Sequence, residues 1–179
     1  ATSWPKPEVV TKAMIEFLEK AGGNPSRSGH RLSIKAGRIV YEARETIANF
    51  FNSEPLRLIF TNNATHSLNI VIKGLLKTGD RVVTTSMEHN SVMRPLRAIK
   101  DIELMVVDCN ENGLVDLEKL KKVMTCKPKL VVINHASNVV GTVQPINEIS
   151  QIVHESKSLL LVDAADRKST RLNSSHGKL

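Results

Sequence analysis

The sequence predicts an α/β fold, a mostly parallel sheet with helices on both faces. Two observations carry this. Short apolar runs of about five residues recur at 56–61, 81–86, 104–108, 129–134 and 159–163. Between them lie segments with helical period at 67–77, 91–100, 116–124 and 147–156. Strands that are apolar on both faces and alternate with helices fit a parallel sheet buried between two helical layers.

The N-terminal elements are helical. Residues 7–21 place Val9, Val10, Ala13, Met14, Phe17 and Leu18 on one helical stripe, opened by prolines and ended at Gly22-Gly23. Residues 22–31 are too rich in turn formers to be helix or strand. A second helix comes next, with Ser33 as its expected cap and Ile39, Val40, Ala43, Ile47, Phe50 and Phe51 at three- and four-residue steps. From residue 56 the strand-helix rhythm begins. The expected organisation is an N-terminal helical segment over 1–55, a partial α/β domain over 56–165 and a non-native tail over 166–179. That tail, Asp166 to Leu179, is polar, basic and aperiodic, and through His176 it resembles an in-frame translation of a sequencing adapter, so it is set aside from fold reasoning.

Composition narrows the function. The formal charge is +7, but the tail holds four basic residues and one acidic one, and without it 21 basic residues face 17 acidic, a net of +4. Aromatics make up 3% of the chain and basic residues are dispersed, so nothing resembles a stacking platform or basic stripe for nucleic acid. No apolar run approaches the roughly 18 residues that span a bilayer. The first residues lack the order of a signal peptide, and a cytoplasmic location is expected. Cys109 and Cys126 show no metal-ligand or CxxC spacing and are read as reduced bystanders.

In parallel sheets, ligands bind beyond the carboxyl ends of the strands, so the strand-to-helix loops are the place to look. The loop 61–69 runs small and hydroxyl-bearing residues into a helix start, where free backbone N–H groups and the helix dipole favour an anion such as phosphate. Capping by Asn63 or Thr65 is the plainer alternative. His89, just past the second apolar run, is suited to stacking on a flat ring, to proton transfer, or simply to capping. The loop 134–142 offers polar donors around Ser137 and Asn138, or is only a turn. Asp163 closes a run of four apolar residues. A carboxylate there is costly without a cation, and a protonated ring nitrogen is one such partner, helix capping being the alternative reading. Together these describe a phosphate, a flat ring, an oxygen substituent and a protonated nitrogen, the outline of pyridoxal 5'-phosphate.

These residues resemble the class V aminotransferase group of fold-type I pyridoxal-phosphate enzymes, and within it the cysteine desulfurases and selenocysteine lyases. The resemblance spans residues 1–165. Ala1-Thr2-Ser3 is similar to the end of the family's opening segment, which implies that a few N-terminal residues precede it. Gly23-Asn24-Pro25 with Ser28-Gly29-His30 is similar to its substrate-side loop. The resemblance implies that Ala64 and Thr65 lie at the phosphate, His89 on the pyridine ring, Asn138 at the ring hydroxyl or substrate, and Asp163 at the ring nitrogen.

Two positions depart from the pattern. Asn63-Ala64 stands where many members have glycine-threonine, which removes a side-chain phosphate contact but leaves the backbone ones. Asp166 stands where glutamine or histidine is common. The family's Schiff-base lysine and its persulfide-forming cysteine are expected beyond Leu179, and neither Lys168 nor Lys178 is assigned the lysine's role. The implied parent is a homodimeric cysteine desulfurase that converts L-cysteine to L-alanine, passes sulfur to an acceptor protein and supplies iron–sulfur clusters. The fragment alone is expected to be inactive. Another class V aminotransferase or lyase, or a regulatory partner of a full-length copy, are the rival readings. A dinucleotide-binding domain is disfavoured because no GxGxxG follows any strand.

Overall fold

The structure, a computed structural model, describes residues 5–25 and 29–166. The Ala1-Thr2-Ser3 segment, Ser28 and the tail past Asp166 lie outside the described residues. The chain divides into two compact units, the first ending at Phe60 and the second beginning at Thr61.

The first unit holds two helices. Helix α1, Glu8–Lys20, comes directly after Pro7 and carries no buried residue. Helix α2, Arg31–Phe50, begins two residues before the expected cap. His30 caps it, Nδ1 accepting from the Leu32 N–H at 3.3 Å, whereas Ser33 sits inside the first turn and is buried. An imidazole nitrogen with a lone pair meets the same need as a serine hydroxyl, an acceptor for an orphan N–H. The loop before α2 packs tightly on it. A Cβ on Gly23 would lie 2.6 Å from the Leu32 carbonyl carbon, so only glycine fits there.

The first expected strand, 56–61, does not form. Pro55 instead opens one turn of 3-10 helix, Pro55–Arg57, closed by Leu58 N–H donating to the Pro55 carbonyl at 3.2 Å. Among the described residues this segment joins no sheet, and Ile59 is 77% exposed. An apolar run becomes a strand only when a neighbour takes up its backbone groups, and proline starts the segment in a helical turn.

The second unit opens with α3, Ala64–Leu75, and continues β1 Arg81–Thr85, α4 Asn90–Ala98, β2 Glu103–Val107, α5 Leu117–Met124, β3 Leu130–Asn134, α6 Ile146–Glu155 and β4 Leu159–Asp163. The four strands pair in parallel in the order β2-β1-β3-β4. Alternate residues feed two cores. Val82, Leu130 and Val132 pack with Leu68, Ile72 and Leu76 and with Val92 and Leu96, the layer of α3 and α4. Val83, Val131 and Ile133 pack with Leu120, Met124, Ile149, Ile152 and Val153, the layer of α5 and α6. Each fully buried aliphatic side chain contributes roughly 1.5–3 kcal/mol of transfer free energy, so these layers dominate the unit's stability.

Order 2-1-3-4 means that the chain leaves β1 toward one edge and returns to the other side of it. The crevice at such a reversal lies beyond the carboxyl ends of β1 and β3, which fixes where the functional loops gather. Among the described residues no helix is long and apolar enough to cross a membrane.

Candidate functional site

The α3 end of the site is built by a cap. Asn63 Oδ1 accepts from the His66 N–H at 2.8 Å, and the Asn63 carbonyl accepts from Ser67. Ala64 and Thr65 are the first two helical residues, and among the described residues their N–H groups have no recorded acceptor. They face outward with the positive end of the helix dipole, which is what an anion requires. Asn63 therefore caps, and the residues after it remain free to bind.

His89 is exposed and caps α4. Its Nδ1 accepts from the Ser91 N–H at 3.1 Å and lies 2.8 Å from Ser91 Oγ. Accepting a backbone N–H requires a lone pair on Nδ1, so the neutral ring carries its proton on Nε2. Capping and ring display thus coexist, because the cap fixes the imidazole by one edge and leaves its faces open. Thr65 and His89 line one open groove of about 450 Å³, together with Asn69, Lys73, Ser91 and Arg94. Two cationic side chains suit this groove to an anionic group.

Asp163 ends β4 with 8% of its surface exposed. Its Oδ1 accepts from the Ala165 N–H at 3.1 Å, and its carbonyl accepts from the His135 N–H at 2.7 Å. In register it stands beside Asn134, the last residue of β3. A carboxylate at this depth that receives one neutral donor among the described residues is suited to a cation supplied from outside.

Asn138 is exposed in the loop after β3. The turn that presents it is held by Ser137, whose Oγ accepts from the Val139 and Val140 N–H groups at 3.3 Å each and whose carbonyl accepts from Gly141. No recorded contact among the described residues joins Asn138 to Thr65, His89 or Asp163. The structure brings Thr65 to His89 and Asp163 to Asn134, and leaves Asn138 on its own loop.

The residue that sequence reasoning passes over is Glu88. It lies just after β1, and its Oε1 accepts from Thr85 Oγ1 at 2.7 Å and from the Asn134 N–H at 2.9 Å. Asn134 Nδ2 donates to the Met87 carbonyl at 2.8 Å, so the ends of β1 and β3 are laced together at this point. Burial pushes the Glu88 carboxyl up to about 7 and the nearby Asp163 carboxylate pushes the same way, against the two hydrogen bonds on Oε1. A glutamate beside a histidine in a polar loop reads from sequence as solvated, and only the meeting of the β1 and β3 ends covers its carboxyl. Gln144 escapes the sequence in the same way. It is buried, Oε1 accepting from the Val115 N–H at 3.0 Å and Nε2 donating to the Gly113 carbonyl at 2.7 Å, and it ties the loop after β2 to the loop after β3.

A parallel sheet between two helical layers, with its loops gathered beyond the carboxyl ends of the strands, is the architecture of part of a fold-type I large domain. The chain belongs to the aminotransferase class-V family, whose profile matches residues 1–171. Over 168 residues it is 36% identical to the "Probable cysteine desulfurase" of Methanothermobacter thermautotrophicus, covering 92% of this chain and 42% of that relative. It is similar in structure to the apo cysteine desulfurase of Thermococcus onnurineus NA1, with a TM-score of 0.82 and 32% identity over 89% of this chain and 41% of that one. A structure of SspA in complex with cysteine gives a TM-score of 0.81 at 28% identity, over 91% of this chain and 48% of that one. The chain thus spans less than half the length of the proteins it matches.

Proposed function

We propose that this chain is the cofactor-cradling part of a pyridoxal 5'-phosphate-dependent cysteine desulfurase. In the parent reaction the carbon–sulfur bond of L-cysteine breaks, L-alanine leaves, and the sulfur joins an enzyme thiol as a persulfide for delivery to an acceptor protein. When bound, the cofactor supplies an electron-withdrawing ring that stabilises negative charge developing beside the substrate amine. The donor set fits that group. The Ala64 and Thr65 N–H groups would hold its phosphate, and Thr65 lines the groove that also carries the cationic side chains of Lys73 and Arg94. The His89 ring, held by Ser91, orients the pyridine face. The Asp163 carboxylate would keep a proton on the ring nitrogen, and Asn138 would serve the ring hydroxyl or the substrate.

The observation that carries this reading is Asp163, a buried carboxyl at the end of β4 with one backbone donor among the described residues. Family membership and the likeness to a structure holding cysteine support the substrate. A homodimer, a role in iron–sulfur cluster supply and a cytoplasmic setting belong to the same proposal. Exposed apolar residues, Val9 and Leu18 in the first unit and Val139 in the second, support the partner surfaces.

The test is thermal-shift and absorbance titration with pyridoxal 5'-phosphate, with NAD as the contrast. A rise in Tm with the former alone is expected, and Asp163→Asn should weaken binding roughly 30-fold or more, the scale of leaving one partner of a buried charge pair unmatched. Equal binding by the wild type and the variant would sink the assignment of Asp163.

A further inference from the structure

Among the described residues of the second unit, the buried side-chain atoms without a partner are two oxygens of one cluster, Glu88 Oε2 and Asn134 Oδ1. Both are acceptors when Glu88 is ionised, so ionisation leaves two buried lone-pair groups facing no donor, a costly arrangement. Rotating the Asn134 amide does not cure it. That rotation would turn Oδ1 toward the Met87 carbonyl and break the 2.8 Å bond from Nδ2. The other oxygen of Glu88 is already saturated by Thr85 Oγ1 and the Asn134 N–H, which is the pattern of the carbonyl oxygen of a neutral carboxylic acid.

We propose that Glu88 is carried as the neutral acid, with its proton on Oε2 serving Asn134 Oδ1. One added proton turns Glu88 Oε2 into a donor, and Asn134 Oδ1 is the orphaned acceptor of the same cluster. The charged group facing Glu88 from β4 is Asp163, β1 contributes the uncharged Thr85 and β3 the uncharged Asn134, while His89 and His135 adjoin the cluster in the chain. The burial of Oε2 and the Asp163 charge both favour the proton on Glu88. Glu88 is thereby a positioning residue. It laces β1 to β3 without adding a negative charge of its own to the cluster.

The test is a pH titration of the full chain labelled with carbon-13 at the glutamate carboxyls, read by NMR in the absence of any cofactor. One resonance, absent from Glu88→Gln, should titrate with a midpoint near 7. That midpoint should fall in Asp163→Asn, which removes the opposing charge, and in Asn134→Leu, which removes the acceptor. If no glutamate of the wild type titrates above pH 6, the inference is overturned, and that result needs no variant to fold. A midpoint near 7 in a protein that does not bind pyridoxal 5'-phosphate would uphold the inference while removing the functional reading.

Discussion

Glu88 makes folding itself pH-dependent. Its carboxyl holds a proton more tightly in the folded chain, up to about 7, than at its ordinary value of 4.5. The stability it contributes is therefore fully present below about pH 4.5 and is lost as pH rises through 7. The interval corresponds to roughly 3 kcal/mol at most, so chemical denaturation from pH 4.5 to 8 should show the wild type losing ground to Glu88→Gln by up to that amount. Parallel curves for the two proteins would contradict it. Gln144 offers a second residue-scale expectation. Gln144→Ala leaves the Val115 N–H and the Gly113 carbonyl without their partner in a buried setting, at a cost of about 2–3 kcal/mol by urea denaturation. Neither residue announces itself in the sequence. Each is a polar side chain in a polar loop, and its burial is decided by segments far away in the chain.

Among the elements, the helical starts and the core layers are the most legible. The helical period over 116–124 begins at Asp116, and the Asp116 Oδ1 accepts from the Glu118 and Lys119 N–H groups at 3.1 and 3.0 Å. Asp116→Ala should cost about 1 kcal/mol, and Asn63→Ala the same at α3, measurable as a fall in Tm of a few degrees. Leu120, fully buried between α5 and the sheet, should cost about 2–5 kcal/mol when cut to alanine. The runs over 81–86, 104–108, 129–134 and 159–163 stand out because short apolar runs between helical segments suit strands covered on both faces. The run over 56–61 looks the same and is not a strand, since pairing is a property of neighbours and not of composition. Ser33 is a reasonable cap by residue type, but the chain gives that place to His30, three residues earlier. For the site, the loops are legible because the sheet order directs ligands to them. The lacing of Glu88 to Asn134 is not, because it joins residues 46 apart.

At the scale of the molecule, the two units differ in how much they bury. Helix α1 has no buried residue, whereas β3 is buried along all five of its positions. Amide hydrogen exchange should therefore show α1 opening freely and Val131 and Val132 protected by several orders of magnitude more. Uniform protection across both would argue against this contrast. The sheet order carries one more consequence, for the path by which the chain reaches this fold. The central pair joins Val82 to Leu130 and Thr84 to Val132, so it closes only after a loop of about fifty residues has been drawn in. Neither central strand can lean on a hairpin partner. The entropy of that closure comes before the reward of β1–β3 pairing, which places the fold among slow, topology-limited folders and leaves its apolar strands exposed to one another while they wait.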